Sequence, residues 1–226
     1  MKTLLILLFT YLAAYGNSQD KVGVMKIQVR QNEPNIDNVI YAKVWNNVQR
    51  HITFHAPWDK KIVNNTFQCY FSNHYFYFRF EVCDSTPILK EPFTNKMDVI
   101  PEDRAEIFLS PTADMKQYYC AEMDPLGNVL DYTAQYPRKF NYPWSFETLQ
   151  LKTCKTIKGY IVAGRWSLKE WEKLGLNPKC FYMGVFSADF YAPKQVIWFS
   201  LLNIYRAKAD FHIPEMLFPC LKGTVK

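Results

Sequence analysis

The sequence predicts an all-β chain, two antiparallel sheets packed as a sandwich, with one short helix. Three observations carry this. Aromatic residues make up 17% of the chain, with 15 Tyr and 17 Phe, a composition that suits pleated, half-buried strands. Short alternating runs recur between clusters of turn-forming residues. One stretch alone carries both a helix start and a helix stop.

Residues 67–72 and 75–83 are aromatic runs separated by Asn73-His74, the pattern of a β-hairpin. Residues 105–109 alternate around Glu106, and 118–123 and 129–132 flank Asp124-Pro125-Leu126-Gly127-Asn128, a second hairpin by its turn composition. Residues 160–166, 182–190, 196–201 and 218–221 complete the succession, an immunoglobulin-like or jelly-roll-like arrangement. The helix is expected over 168–174. Ser167 and Glu170 form a capping box, Leu168, Trp171 and Leu174 follow at three-residue spacing, and Gly175 supplies the stop. Trp45 and Trp198 belong to strands and are expected in the core, as are Trp166 and the helix residue Trp171. Proline-marked loops at 87–101, 111–116 and 137–143 are where binding residues are expected.

The chain opens with Lys2, an apolar run over 4–14 and then Gly16, Asn17 and Ser18. This is the layout of a cleavable signal peptide, and the run falls short of the roughly 20 residues of a membrane helix. We expect residues 1–18 to be removed near Ser18/Gln19 and 19–226 to form a single domain, secreted or periplasmic. No cysteine precedes Cys69, so no lipid attachment is expected, and no later segment has the ~18 uncharged apolar residues of a span. Without the leader the chain carries 26 basic and 21 acidic residues, a mild, scattered excess that gives no stripe for nucleic acid. The six cysteines form no CxxC or CxxCH; fifteen complete disulfide pairings and a set of free buried thiols are both open.

The ordered pieces resemble the family 9 carbohydrate-binding modules. Ile36-Asp37-Asn38 leads to Trp45, and Tyr75-Phe76-Tyr77 leads to Asp84 and Pro87. The most specific piece is Glu102-Asp103-Arg104-Ala105-Glu106-Ile107-Phe108-Leu109, similar to the family's D-x-V-E-I-F strand. Tyr118-Tyr119, Asp124-Pro125-Leu126-Gly127, Gly184-Val185-Phe186, Asp189-Phe190, Trp198-Phe199-Ser200 and Asp210-Phe211-His212-Ile213-Pro214 follow in family order.

Together with the leader, the resemblance implies an exported, non-catalytic domain that binds an oligosaccharide or polysaccharide in polysaccharide catabolism, with glycoside hydrolases as possible partners; no cofactor is expected, with structural calcium left open. Asp124, Asp131 and Asp189 are its candidate calcium ligands, with none assigned. Family members hold a sugar between two tryptophans whose places fall near Ile100 and Phe211, so either another aromatic such as Trp144 or Tyr118 substitutes or affinity and ligand differ from those members. A sugar site needs an aromatic platform and groups that donate and accept. Our candidate ligand-binding set is Arg104, Glu106, Tyr118, Glu122, Trp144, Phe211 and His212.

Three rival chemistries have weaker residue support. Glu122 and Asp124, roughly 6.6 Å apart on one strand face, fit a glycoside hydrolase, as any such i, i+2 pair would. Met97, Met123, Met183 and His212 could ligate haem, with no motif marking an axial pair. His51 and His55 have zinc spacing only on a helix, and their surroundings read as extended chain. Asn64-Asn65-Thr66 is a glycosylation sequon.

Overall fold

The computed structural model describes residues 23–204 and 207–225; the expected leader and its cleavage point lie outside them. The first strands are β1 (Met25–Val29), β2 (Arg50–Ala56), β3 (Lys61–Phe71), β4 (Tyr75–Val82) and β5 (Arg104–Ser110). Next come β6 (Tyr118–Met123), β7 (Val129–Gln135), β8 (Lys139–Asn141) and β9 (Gln150–Thr156). The last are β10 (Gly159–Ser167), β11 (Phe181–Ala192), β12 (Gln195–Ser200) and β13 (Phe218–Val225), with one α-helix, α1 (Leu168–Lys173).

The chain is all-β as expected, but the strands do not divide into two antiparallel sheets. They run in one hydrogen-bonded path, β8-β7-β6-β5-β11-β12-β2-β3-β4-β10-β9. Strand β1 pairs in parallel with β13 and β3, and β13 pairs with β11, which closes a six-strand ring. The path turns its corner where β12 and β2 pair through Ser200 and His55 alone. Beside it a bulge at Thr53, φ 85°, bends β2. The two arms of this path share a core. Phe76, Phe78 and Phe80 of β4 and Val162 of β10 join Ile107 and Leu109 of β5, Ala121 of β6 and Val185 of β11.

Local chemistry explains the elements. Asp124 builds the turn between β6 and β7 by accepting from the backbone N–H groups of Leu126 and Asn128 at 2.8 Å each and from Asn128 Nδ2 at 2.7 Å, with Gly127 at φ 90°. The β3–β4 turn needs no positive φ at Asn73. Instead Ser72 Oγ accepts from the N–H groups of His74 and Tyr75, at 3.3 and 3.0 Å. At α1 only half of the expected capping box forms: Ser167 accepts from Lys169 N. The buried Glu170 carboxylate accepts instead from the N–H groups of Glu147 and Thr148, tying the loop before β9 to the helix. Trp45, Trp166 and Trp171 are in the core as expected. All six cysteines are unbridged; Cys69, Cys120 and Cys220 are buried, and Cys83, Cys154 and Cys180 are exposed. Among the described residues no helix is long and apolar enough to cross a membrane.

Candidate functional site: a charged cleft on the outer sheet face

Alternation sorts β5 into two faces. Ala105, Ile107 and Leu109 enter the shared core, while Phe108 belongs to a second cluster with Tyr118, Cys120, Tyr132, Phe186 and Phe211. Arg104 and Glu106 therefore stand on the outer face with Phe108. The register lays two rows across this face. One runs Glu122, Glu106, Phe186; the other runs Arg104, Ala188, Trp198. Ala188 is small, so the Trp198 ring leans over it to within 5.2 Å of the Arg104 guanidinium carbon. The last loop and the β7–β8 turn add Ala209, Asp210, Phe211, His212 and Arg138, enclosing a cleft of about 160 Å³.

Charge is concentrated on the cleft floor. Arg104 Nε lies 2.9 Å from Glu106 Oε1 and 2.7 Å from Glu122 Oε2, and all three residues are at most 5% exposed. Arg104 Nη1 donates to the carbonyls of Ile100 and Glu102 at 2.8 and 3.0 Å, which fixes the guanidinium. Tyr132 donates its hydroxyl to Glu122 Oε1 at 2.6 Å. Glu106 has no such tyrosine: its buried Oε1 meets the Arg104 guanidinium without an aligned hydrogen bond. Burial, reinforced by the neighbouring Glu122 carboxylate, holds the Glu106 carboxyl well above the usual carboxylate range. A fixed guanidinium beside a carboxyl in one cleft can donate to and accept from adjacent hydroxyls of one ligand.

The rim is held by an ion pair and a hydrogen bond. Arg138 Nη2 contacts Asp210 Oδ1 at 2.5 Å, and Asp210 accepts from His212 N at 2.9 Å. His212 Nδ1 bonds the Tyr118 hydroxyl at 3.1 Å, and its ring stacks on Phe108 at 4.8 Å. Burial, with Arg138 and Arg104 nearby, lowers the His212 pKa to about 3, so the ring is neutral at physiological pH.

Arg104, Glu106, Glu122, Phe211 and His212 from the sequence set converge on this cleft, and Tyr118 supports it through His212. Trp144 does not join them; it packs on Tyr119 and Phe146, at 5.5 and 4.7 Å, beside the shared core. Phe211 is only 6% exposed and stacks on Phe186 at 4.0 Å, so it is a wall of the cleft and not an open platform. The accessible ring is Trp198, assigned to the core from sequence but half-buried over Arg104. Arg138 and Asp210 were also missed. For Trp198 the alternation of β12 is the signal, since Phe199 next to it is buried, which sends Trp198 to the other face.

The rival sets are separated by the fold. Asp124 is fully buried in its turn, so it does not pair with Glu122 as a catalytic acid. Met123 and Met183 enter the shared core, the opposite sheet face from His212. His51 and His55 lie on strand β2, where four residues span roughly 13 Å.

The profile of a family described as carbohydrate family 9 binding domain-like matches residues 36–187. The chain belongs to that family. Solved structures agree on the fold. A candidate carbohydrate-binding protein from Bacteroides uniformis ATCC 8492 is 13% identical, with TM-score 0.70, covering 88% of this chain and 98% of its own. A family 9 carbohydrate-binding module from Caldicellulosiruptor kristjanssonii, solved with cellotriose, is 19% identical with TM-score 0.56 over 88% of this chain and 94% of its own. The structure of a module of the same family and organism with glucose gives 23% identity and TM-score 0.52, covering 88% and 96%. No curated protein matches.

The calcium ligands suggested by the family resemblance sit apart. Asp124 is occupied by its turn. Asp131 accepts from Lys96 Nζ, Ser145 Oγ and Phe146 N. Asp189 instead gathers with Asp84 and Asp103, with one oxygen of each within 4.8 Å of the others. Three carboxylates with oxygen donors so close fit a hard cation.

Proposed function

We propose that residues 19–226 form an exported domain that binds a carbohydrate at the outer-face cleft without cleaving it. The observation that carries this reading is the convergence of Trp198, a fixed Arg104 and the Glu106 carboxyl in a cleft of about 160 Å³, the scale of one sugar ring. Trp198 offers a face to sugar C–H groups, while Arg104 and Glu106 meet the hydroxyl rim. Relatives solved with cellotriose and glucose support the choice of ligand class. Binding is favoured over hydrolysis because an acid and a nucleophile must flank the scissile bond. Here the guanidinium of Arg104 already lies between Glu106 and Glu122.

In this reading the domain serves polysaccharide catabolism, and the polymer or a partner glycoside hydrolase retains it after export. Co-sedimentation with insoluble polysaccharides, together with cell fractionation, tests this. The reading expects the protein in the secreted or periplasmic fraction and on at least one polymer. Firm membrane association, or no retention on any polymer, would count against it.

A further inference from the structure

The arm built from β2, β3, β4 and β10 carries a charged row of its own on its outer face. Phe67, Cys69, Phe78 and Phe80 enter the shared core, so alternation sends Gln68 and Arg79 outward. The register aligns Arg50, Gln68, Arg79 and Ala163 across the four strands. Ala163 brings no polar group to Arg79, and the next position in the row, Lys152 of β9, is a further cation, paired with Asp37 at 2.9 Å. The 3-10 turn Ala42–Trp45 is tied over this row by Gln68, whose Nε2 donates to the carbonyls of Trp45 and Val48 at 3.3 and 3.0 Å. Between turn and sheet lies a pocket of about 280 Å³, lined by Arg50, Gln68, Arg79 and Glu81 from the strands and by Asn46 and Asn47 after the turn.

Charge in this pocket does not balance. Glu81 Oε2 lies 3.1 Å from Arg79 Nη1 and 3.2 Å from Arg50 Nη2, so one carboxylate oxygen serves two guanidinium groups. Arg79 is only 5% exposed, and its Nε is buried with no hydrogen-bond partner among the described residues. A buried donor on a charged group left unpaired is costly unless something else supplies the acceptor. Burial lowers the Arg79 pKa, Glu81 offsets only part of this, and Arg50 adds to the lowering. The guanidinium is therefore short of negative charge.

We propose that this pocket is a second binding site, which takes an oxyanion group of a ligand, a carboxylate or a sulfate, between Arg79 and Arg50. A guanidinium presents its donors in a fixed fork that matches two oxygens of such a group. Glu81, with its side chain 38% exposed, competes for the same donors and yields them when the ligand enters. The pocket is larger than the 160 Å³ cleft, which leaves room beside Asn46 and Asn47 for the ring that carries the anion. The site sits on the other arm from the cleft, and the inference does not rest on the carbohydrate reading of that cleft.

Full-length protein is titrated at low salt with sodium glucuronate, sodium acetate, sodium sulfate and glucose, by calorimetry and by thermal unfolding. Glucuronate should bind and raise Tm, and added sodium chloride should weaken it. Arg50→Gln changes a side chain about half exposed, so it should fold normally and weaken glucuronate about tenfold. Glu81→Gln removes the competitor and should tighten glucuronate roughly threefold, an effect that a purely structural ion pair would not give. No binding of any of the three anions would overturn the proposal, as would glucuronate binding unchanged in both variants. Glucose bound as tightly as glucuronate, with Arg50→Gln indifferent to both, puts the sugar in the cleft and also overturns it. Acetate or sulfate bound as tightly as glucuronate overturns the ligand-borne part and leaves a site for a free small anion; glucuronate bound tenfold more tightly than either supports the whole.

Discussion

Glu106 and Glu122 stand opposite each other on β5 and β6, and both close on one nitrogen, Arg104 Nε, at 2.9 and 2.7 Å. One guanidinium nitrogen cannot satisfy two buried carboxylates equally, and Tyr132 tips the balance by bonding Glu122. Glu106 is left with the Arg104 contact and no tyrosine donor. Glu106→Gln keeps the shape and removes a carboxyl already biased toward its protonated form. Unfolding free energy should change by less than about 1 kcal/mol, while sugar affinity falls ~10-fold through loss of the hydrogen bond the carboxyl makes to a ligand hydroxyl. Urea unfolding and calorimetry on the same preparation separate the two.

Arg104→Met should act on stability. It leaves two buried carboxylates facing each other without their cation, a change that costs about 3–5 kcal/mol. Chemical denaturation measures the loss, and adding Glu106→Gln and Glu122→Gln should recover part of it.

The two rings of the cleft should separate. Phe211 is 6% exposed between Phe186, Trp58 and Trp198, so Phe211→Ala should cost about 3–5 kcal/mol of stability. Trp198 is half-buried, and Trp198→Ala should destabilise less and weaken sugar binding more. Melting curves and titrations of both variants check the contrast.

Acid should loosen the last loop. His212 has a folded pKa of about 3, set first by burial and then by Arg138 and Arg104, with Asp210 opposing, against roughly 6.5 unfolded. Its contribution to stability is therefore fully present above pH ~6.5 and is lost progressively as pH falls toward 3, because the unfolded chain takes up the proton first. Tm measured between pH 7 and 4 should fall more steeply in the wild-type protein than in His212→Gln.

Local signals made much of the fold legible in advance. Strand β6 has its expected bounds because Asp124 and Gly127 define the turn beside it, and the aromatic runs of β3 and β4 announce their hairpin. The parallel placement of β1 was not legible, since its partners β13 and β3 are remote in sequence and no turn residue joins them. Strand β9 was missed because it is an exposed or half-buried edge with little apolar pattern. At the cleft, the charged residues stood out because Arg104 and Glu106 interrupt an apolar strand. Trp198, expected in the core, reaches the cleft, and Trp144 packs beside the shared core instead, since residue type alone does not tell which face of a sheet a tryptophan takes. Register does: Trp198 aligns with Ala188 and so reaches Arg104.

The most direct test of the central claim is isothermal titration of the domain with an oligosaccharide panel that includes cellotriose, on wild type and Glu106→Gln in parallel. The account predicts saturable one-to-one binding of at least one sugar by the wild type, weakened about tenfold in a variant with an unchanged melting temperature. No heat with any sugar, or equal binding by both proteins, would contradict it.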